Sequence, residues 1–96
     1  PRPQHPLELL APAKNADFGI EAIKHGADAV YIGGPSFSAR YGAGNDVAEI
    51  RRLCDFAHRY RAKVFVALNT ILHDHELEVA RQLAWQLYEA GADALI

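Results

Sequence analysis

An α/β fold with a parallel sheet, in the order βαβαβαβ, is what this sequence predicts, and three observations carry that expectation. Short β-rich apolar runs alternate with longer stretches whose apolar residues recur at helical spacing. One junction recurs as Gly26-Ala-Asp-Ala-Val30, Arg61-Ala-Lys-Val-Phe65 and Gly91-Ala-Asp-Ala-Leu95. Each copy turns a helix end into a strand, at intervals of roughly 30 residues, the length of one βα unit. The strand-like runs are nearly continuous in apolar residues, as in parallel sheets wrapped by helices.

The elements follow in order. A proline-fixed extended arm, residues 1–6, leads into Leu7-Glu-Leu-Leu-Ala-Pro12, expected as a buried first strand with Pro12 tolerated only at its end. Asn15 is placed to cap the first helix, whose stripe is Phe18, Ala22 and Ile23 and whose stop is Gly26. The second strand is Ala29 to Gly33, ended by the glycine pair Gly33-Gly34. Asp46 and Glu49 form a capping-box pattern before a second helix with the stripe Val47, Ile50, Leu53, Cys54 and Ala57. Arg51, Arg52, Asp55 and Arg59 lie off that stripe, and the basic set Arg51, Arg52, Arg59 and Arg61 reads more as a solvated face than as an RNA track. Arg61 takes the place that Gly26 holds one unit earlier, and if that position is left-handed a residue other than glycine carries a steric cost there. Lys63 to Leu68 is the third strand. A third helix, capped by Asp74, is expected to bury Leu77, Ala80, Leu83, Ala84, Leu87 and Tyr88 and to stop at Gly91, after which Ala92 to Ile96 opens a fourth strand.

Composition bounds the function. With 96 residues, half of them apolar, the chain is one small domain at most and has material for a core. A net charge of −2 excludes a strongly basic nucleic-acid module. A single cysteine excludes an internal disulfide framework. There is no apolar run of about 18 residues and no signal-peptide pattern, so a cytoplasmic protein without membrane contact is expected. The chain starts without Met and stops inside an apolar run, so a segment of a longer protein is expected. Doubly wound sheets and (β/α)₈ barrels both fit the pattern. A barrel needs about 250 residues, and residues 7–96 then form its first three to four βα units, an open sheet expected to self-associate in isolation.

Active sites of parallel α/β folds lie beyond the carboxyl ends of the strands. That makes Pro12 to Asn15, Gly33 to Asn45 and Asn69 to Asp74 the eligible segments. Arg40 is the first choice, since a guanidinium in a Gly-rich loop suits bidentate binding of carboxylate or phosphate, although a surface salt bridge would use it equally well. Tyr31 either aims its hydroxyl at the site or serves as a core aromatic. The Gly33-Gly34 pair either lets an anion approach backbone N–H groups or simply turns the chain. Phe37 stacks on a base or anchors its loop. Asn69 orients substrate or a neighbouring loop. Glu8, in the first strand, needs a basic partner if the barrel encloses it. Ser36, Ser38, Tyr41 and Asn45 add hydrogen-bonding groups to the long loop. His73-Asp-His75 lacks a third clustered ligand, so no metal site is assigned, and Cys54 falls on the helix stripe as a core residue rather than a nucleophile.

With these pieces placed, the chain resembles the N-terminal segment of the collagenase-like peptidase family U32. The likeness runs over Glu8-Leu-Leu-Ala-Pro-Ala13, Gly26 to Gly34, Phe37-Ser-Ala-Arg40, Ala57-His58, Lys63-Val-Phe-Val-Ala-Leu-Asn69 and Gly91 to Ile96. The run His25 to Arg40, with His58-Arg-Tyr60 and Asn69 to Asp74, looks most like the branch that hydroxylates a cytidine of 23S ribosomal RNA. The resemblance implies an incomplete TIM-like barrel and a larger RNA-modifying enzyme acting on ribosomal RNA or its precursor. It also implies an iron–sulfur cluster, with ligating cysteines downstream of this segment, and prephenate, a small anionic metabolite. Lys14 departs from the Gly of many members, as Arg61 does from theirs. A collagenase-like peptidase and a noncatalytic scaffold for a metabolite or RNA are the alternatives; no Ser/His/Asp order or HExxH motif appears for the peptidase.

Overall fold

Four strands and three helices alternate in a computed structural model that describes residues 9–35, 45–68 and 77–96. They are β1 (Leu10–Ala13), α1 (Ala16–Lys24), β2 (Ala29–Gly33), α2 (Val47–Arg59), β3 (Lys63–Ala67), α3 (Leu77–Ala90) and β4 (Ala94–Leu95). All neighbouring strands are parallel and the sheet order is β1-β2-β3-β4. Because the order never reverses, each crossover returns its helix to the same face. Val30, Ile32, Val64 and Val66 are buried there with Ala16, Ile23, Ile50, Leu53, Cys54, Ala57 and Leu87 in one core. A doubly wound sheet carries helices on both faces, whereas the described sheet carries one helix layer. The fold is therefore an incomplete TIM-like barrel.

The opposite face has no helix among the described residues. Register places Pro12, Tyr31, Phe65 and Ala94 in one row across it, with Leu10, Ala29 and Lys63 below. The expected burial of the first strand is corrected accordingly, because Leu10 is 48% exposed on this uncovered face. Pro12 lies one residue inside the strand end rather than at it, in a strand paired on one side only, where a missing N–H is tolerated.

Caps decide the helix starts. Asn15 Oδ1 accepts from Phe18 N–H at 3.0 Å and Asp46 Oδ1 from Glu49 N–H at 2.8 Å, as the sequence predicts. The stripe of α2 is buried as expected, except that Val47 is only partly so. The stripe of α1 shifts to Ala16, Gly19 and Ile23, while Phe18, in the first turn, is 56% exposed. In α3, Leu87 is buried, but Tyr88 is half exposed, one position off the stripe.

The repeated junctions share a clamp. Asp28 donates its N–H to Leu9 O at 2.9 Å, and its Oδ2 accepts from Leu9 N–H at 2.9 Å. Asp93 repeats this on Val64, with both distances 2.8 Å. His58 Nε2 meets the same Asp93 oxygen at 2.9 Å, tying the end of α2 to the start of β4. In the middle junction Lys63 has no carboxylate to offer, and only its N–H, donating to Asp28 O at 3.1 Å, remains.

Backbone conformation at the helix ends matches the repeat: φ is +105° at Gly26, 61° at Arg61 and +118° at Gly91. A side chain in this region costs about 1 kcal/mol, so Arg61→Gly should raise Tm by a few degrees in thermal unfolding; an unchanged or lower Tm would refute the strain. A Cβ on Gly91 would stand 2.9 Å from Cys54 Cβ, whereas one on Gly26 would meet nothing within 4 Å. Gly91→Ala should therefore lower Tm more than Gly26→Ala, and equal losses would mean that α2 yields without cost.

Candidate functional site

At the carboxyl ends of β1, β2 and β3 the chain must leave the sheet, and its backbone groups there need partners from elsewhere. At β2 the partner is Asn45. Its Nδ2 donates to Gly33 O at 2.9 Å and to Lys14 O at 3.2 Å, and its own N–H reaches Gly33 O at 3.4 Å. One side chain thus joins the ends of β1 and β2 to the start of α2.

The capping box at Asp46 and Glu49 closes on one side only. Asp46 caps α2, but Glu49 Oε2 accepts from Ala16 N–H at 3.0 Å, the first turn of α1. The same oxygen accepts from Arg52 Nη2 at 3.1 Å, and Arg52 also donates to Asp17 Oδ1 at 3.0 Å. Asp17 foremost, then Glu49, holds the Arg52 guanidinium above its ordinary pKa. Since Glu49 and Asn15 occupy N–H groups of its first turn, α1 does not present a bare N-terminus to an anion.

The sequence candidates divide sharply. Tyr31 lies on the helix-free face, 38% exposed, beside its register partner Phe65. Gly33 ends β2 in open space. Gly34 is buried, and its N–H donates to Ala67 O at 2.9 Å. A Cβ there would meet Val66 Cγ1 at 2.9 Å and Leu68 Cδ2 at 3.0 Å, so this glycine serves close packing on β3. Glu8, Phe37, Arg40 and Asn69 lie outside the described residues, as does His73-Asp-His75. Lys14 is exposed at the end of β1 and is the cation that the described rim presents. The bridging by Asn45 and the reach of Glu49 to α1 went unseen in the sequence. A polar residue directly before a capping Asp was the available signal for Asn45, but nothing local shows that two other loops pass within its reach.

Residues 14–96 match peptidase family U32. Over 92 residues, 96% of the chain, the sequence is 62% identical to the 23S rRNA 5-hydroxycytidine synthase of Escherichia coli, of which it covers 14%. It is 36% identical over 90 residues to a tRNA hydroxylation protein of Bacillus subtilis, covering 93% of this chain and 21% of that one. Against a collagenase of Porphyromonas gingivalis the identity is 24% over 92 residues, 94% of this chain and 22% of that protein. The chain thus spans less than a quarter of the length of these relatives. A solved phosphonomutase-type structure from Burkholderia cenocepacia superimposes with a TM-score of 0.70 at 18% identity, covering 95% of this chain and 46% of that one, a likeness of fold alone. That neighbour is of the TIM-barrel type.

Cys54 stands apart from the rim. It is fully buried on the core side of α2, and burial first, with the nearby Asp93 and Asp55 charges after it, pushes its thiol up from 9.0 to about 12. Between those values the unfolded chain releases the proton and the folded chain keeps it. The stability present below pH 9 should therefore fall by about 1.4 kcal/mol per pH unit as pH rises toward 12. Denaturant titrations of wild type and Cys54→Ala check this: the variant should lack that component, and equal slopes would show that the thiol ionises freely.

Proposed function

The chain belongs to peptidase family U32, and we propose that it is the barrel-building segment of an enzyme that hydroxylates a cytidine of 23S ribosomal RNA. The observation that carries this reading is the 62% identity to the ribosomal RNA enzyme, against 36% to the transfer RNA protein and 24% to the collagenase. The geometry agrees with it. The parallel sheet opens its carboxyl ends onto one rim, where such folds hold their substrates.

On this reading Lys14 and Arg40 attract the anionic groups of RNA or of a small metabolite, for which a fixed cation suits carboxylate or phosphate. The neighbouring Tyr31 and Phe65 rings offer an apolar surface of the kind on which unstacked bases are held. Phe37 and Asn69 are assigned to the same proposed pocket. Gly34 contributes shape rather than a donor, because its N–H is engaged by Ala67.

Prephenate and an iron–sulfur cluster are proposed requirements of the longer protein. The described residues do not fit a cluster: Cys54 is sealed in the core, and no three of their His, Cys, Asp or Glu side chains converge as ligands. The uncovered face and the outer edge of β4 are proposed to be closed by the rest of the barrel, or by self-association where the 96 residues stand alone. No helix among the described residues is long and apolar enough to cross a membrane, and a cytoplasmic place of action belongs to the proposal.

The peptidase reading has the family name and the distant collagenase in its favour, but the buried thiol, held protonated, is no nucleophile. Nucleoside mass spectrometry of 23S ribosomal RNA from cells lacking the full-length protein decides among the readings. 5-Hydroxycytidine should vanish and return on complementation. Its persistence would overturn the proposal: a hydroxyuridine lost from transfer RNA instead would point to the neighbouring branch, casein cleavage by the purified protein to the peptidase, and no change to a scaffold.

A further inference from the structure

Two backbone carbonyls at different strand ends converge on one amide. Lys14 O terminates β1 and Gly33 O terminates β2, and the Asn45 Nδ2 group donates to both, at 3.2 and 2.9 Å. Because both partners are acceptors, the amide has one workable orientation, with its two N–H donors inward. A carbonyl at a strand end has no ladder partner ahead of it, and the Gly33 turn is open on its outer side, with nothing within 4 Å of where a Cβ would be, although the next residue, Gly34, packs on Val66 and Leu68. Asn45 itself is held by Asp46, which caps α2, and α2 is held to α1 through Glu49. The rim position of Lys14 relative to Gly33 is thus set by a side chain from a third place in the sequence.

We infer that Asn45 is a positioning residue for the site at the carboxyl ends of β1 and β2: by bridging Lys14 O and Gly33 O it fixes the distance at which the Lys14 cation and the open Gly33 turn meet a substrate. This rests on the RNA-modification reading above, and Asn45 acts through those two turns without touching the reacting atoms. Two substitutions grade the effect. Asn45→Ala removes both donors; Asn45→Asp keeps the shape, removes both donors and sets a carboxylate against two carbonyl oxygens, which makes it the more severe change.

The test uses the full-length protein and two readouts. In hydrogen exchange followed by mass spectrometry, Asn45→Ala should speed exchange at the rim, residues 14–15 and 33–34, by about tenfold, the scale of one or two lost hydrogen bonds, while α2 and β3 stay protected. In complemented cells, 5-hydroxycytidine per unit of soluble protein should fall by about tenfold for Asn45→Ala and further for Asn45→Asp, with Asn45→Ser, which keeps one donor, in between. Unchanged exchange at the rim would overturn the inference, as would a loss of modification that only tracks the loss of folded protein. Failure of the wild-type protein itself to restore the nucleoside would sink the RNA reading, while the exchange result still decides whether Asn45 sets the rim.

Discussion

Parallel strands cannot be joined by a tight hairpin, so their register depends on whatever ties each strand to the next across a long crossover. In this chain the ties at the amino end are the Asp28 and Asp93 clamps. Each aspartate grips a residue at the start of the preceding strand, Leu9 just before β1 or Val64 near the start of β3, through its own N–H and through its carboxylate. A slip of one residue would break both bonds and would also turn Val30, Ile32, Val64 and Val66 away from the helices they pack against. The clamp and the core therefore select the same register.

The two ends of the sheet are built on different terms. At the amino end, strand starts are bonded to strand starts, and helix ends close through residues with positive φ, which serves stability. At the carboxyl end, partners come from the far side of a loop: Asn45 holds two strand ends and Glu49 holds the first turn of α1. Strand ends also bond one another there, Gly34 N–H to Ala67 O and Leu68 N–H to Ile96 O, so the start of α2 governs the ends of β1 and β2 in particular. This is the end at which parallel α/β folds place their chemistry, and the relatives the chain matches include a 23S rRNA 5-hydroxycytidine synthase and a tRNA hydroxylation protein.

Much of the fold could be read from local signals. Asn15 and Asp46 are caps because their side chains reach a backbone N–H three residues ahead, an interaction contained in one turn. Arg61 is left-handed because it ends a helix where its sister junctions have glycine. Burial was less legible. Phe18 and Tyr88 are as apolar as their neighbours, yet a shift of one position around a helix leaves them in solvent. Leu10 is exposed for another reason: its side of the sheet has no cover within these residues.

The candidate site was legible only in outline. The rule that puts function beyond the carboxyl ends of strands picked out the turns at Lys14 and Gly33, but it gave Gly34 an anion-binding alternative where close packing on Val66 and Leu68 prevails. By itself the sequence determined the parallel α/β class, the caps at Asn15 and Asp46, the helix stops and the strand centres, because each rests on hydrogen bonds and periodicity within about a dozen residues of chain. Only the tertiary structure decided that all three helices share one face, that Glu49 serves α1 rather than its own cap, and that Asn45 joins two strand ends. Those outcomes depend on which segments, 31 to 33 residues apart in the case of Asn45 with Lys14 and Glu49 with Ala16, come to lie within three ångströms or so of each other. No local propensity encodes that approach; packing of the shared core does.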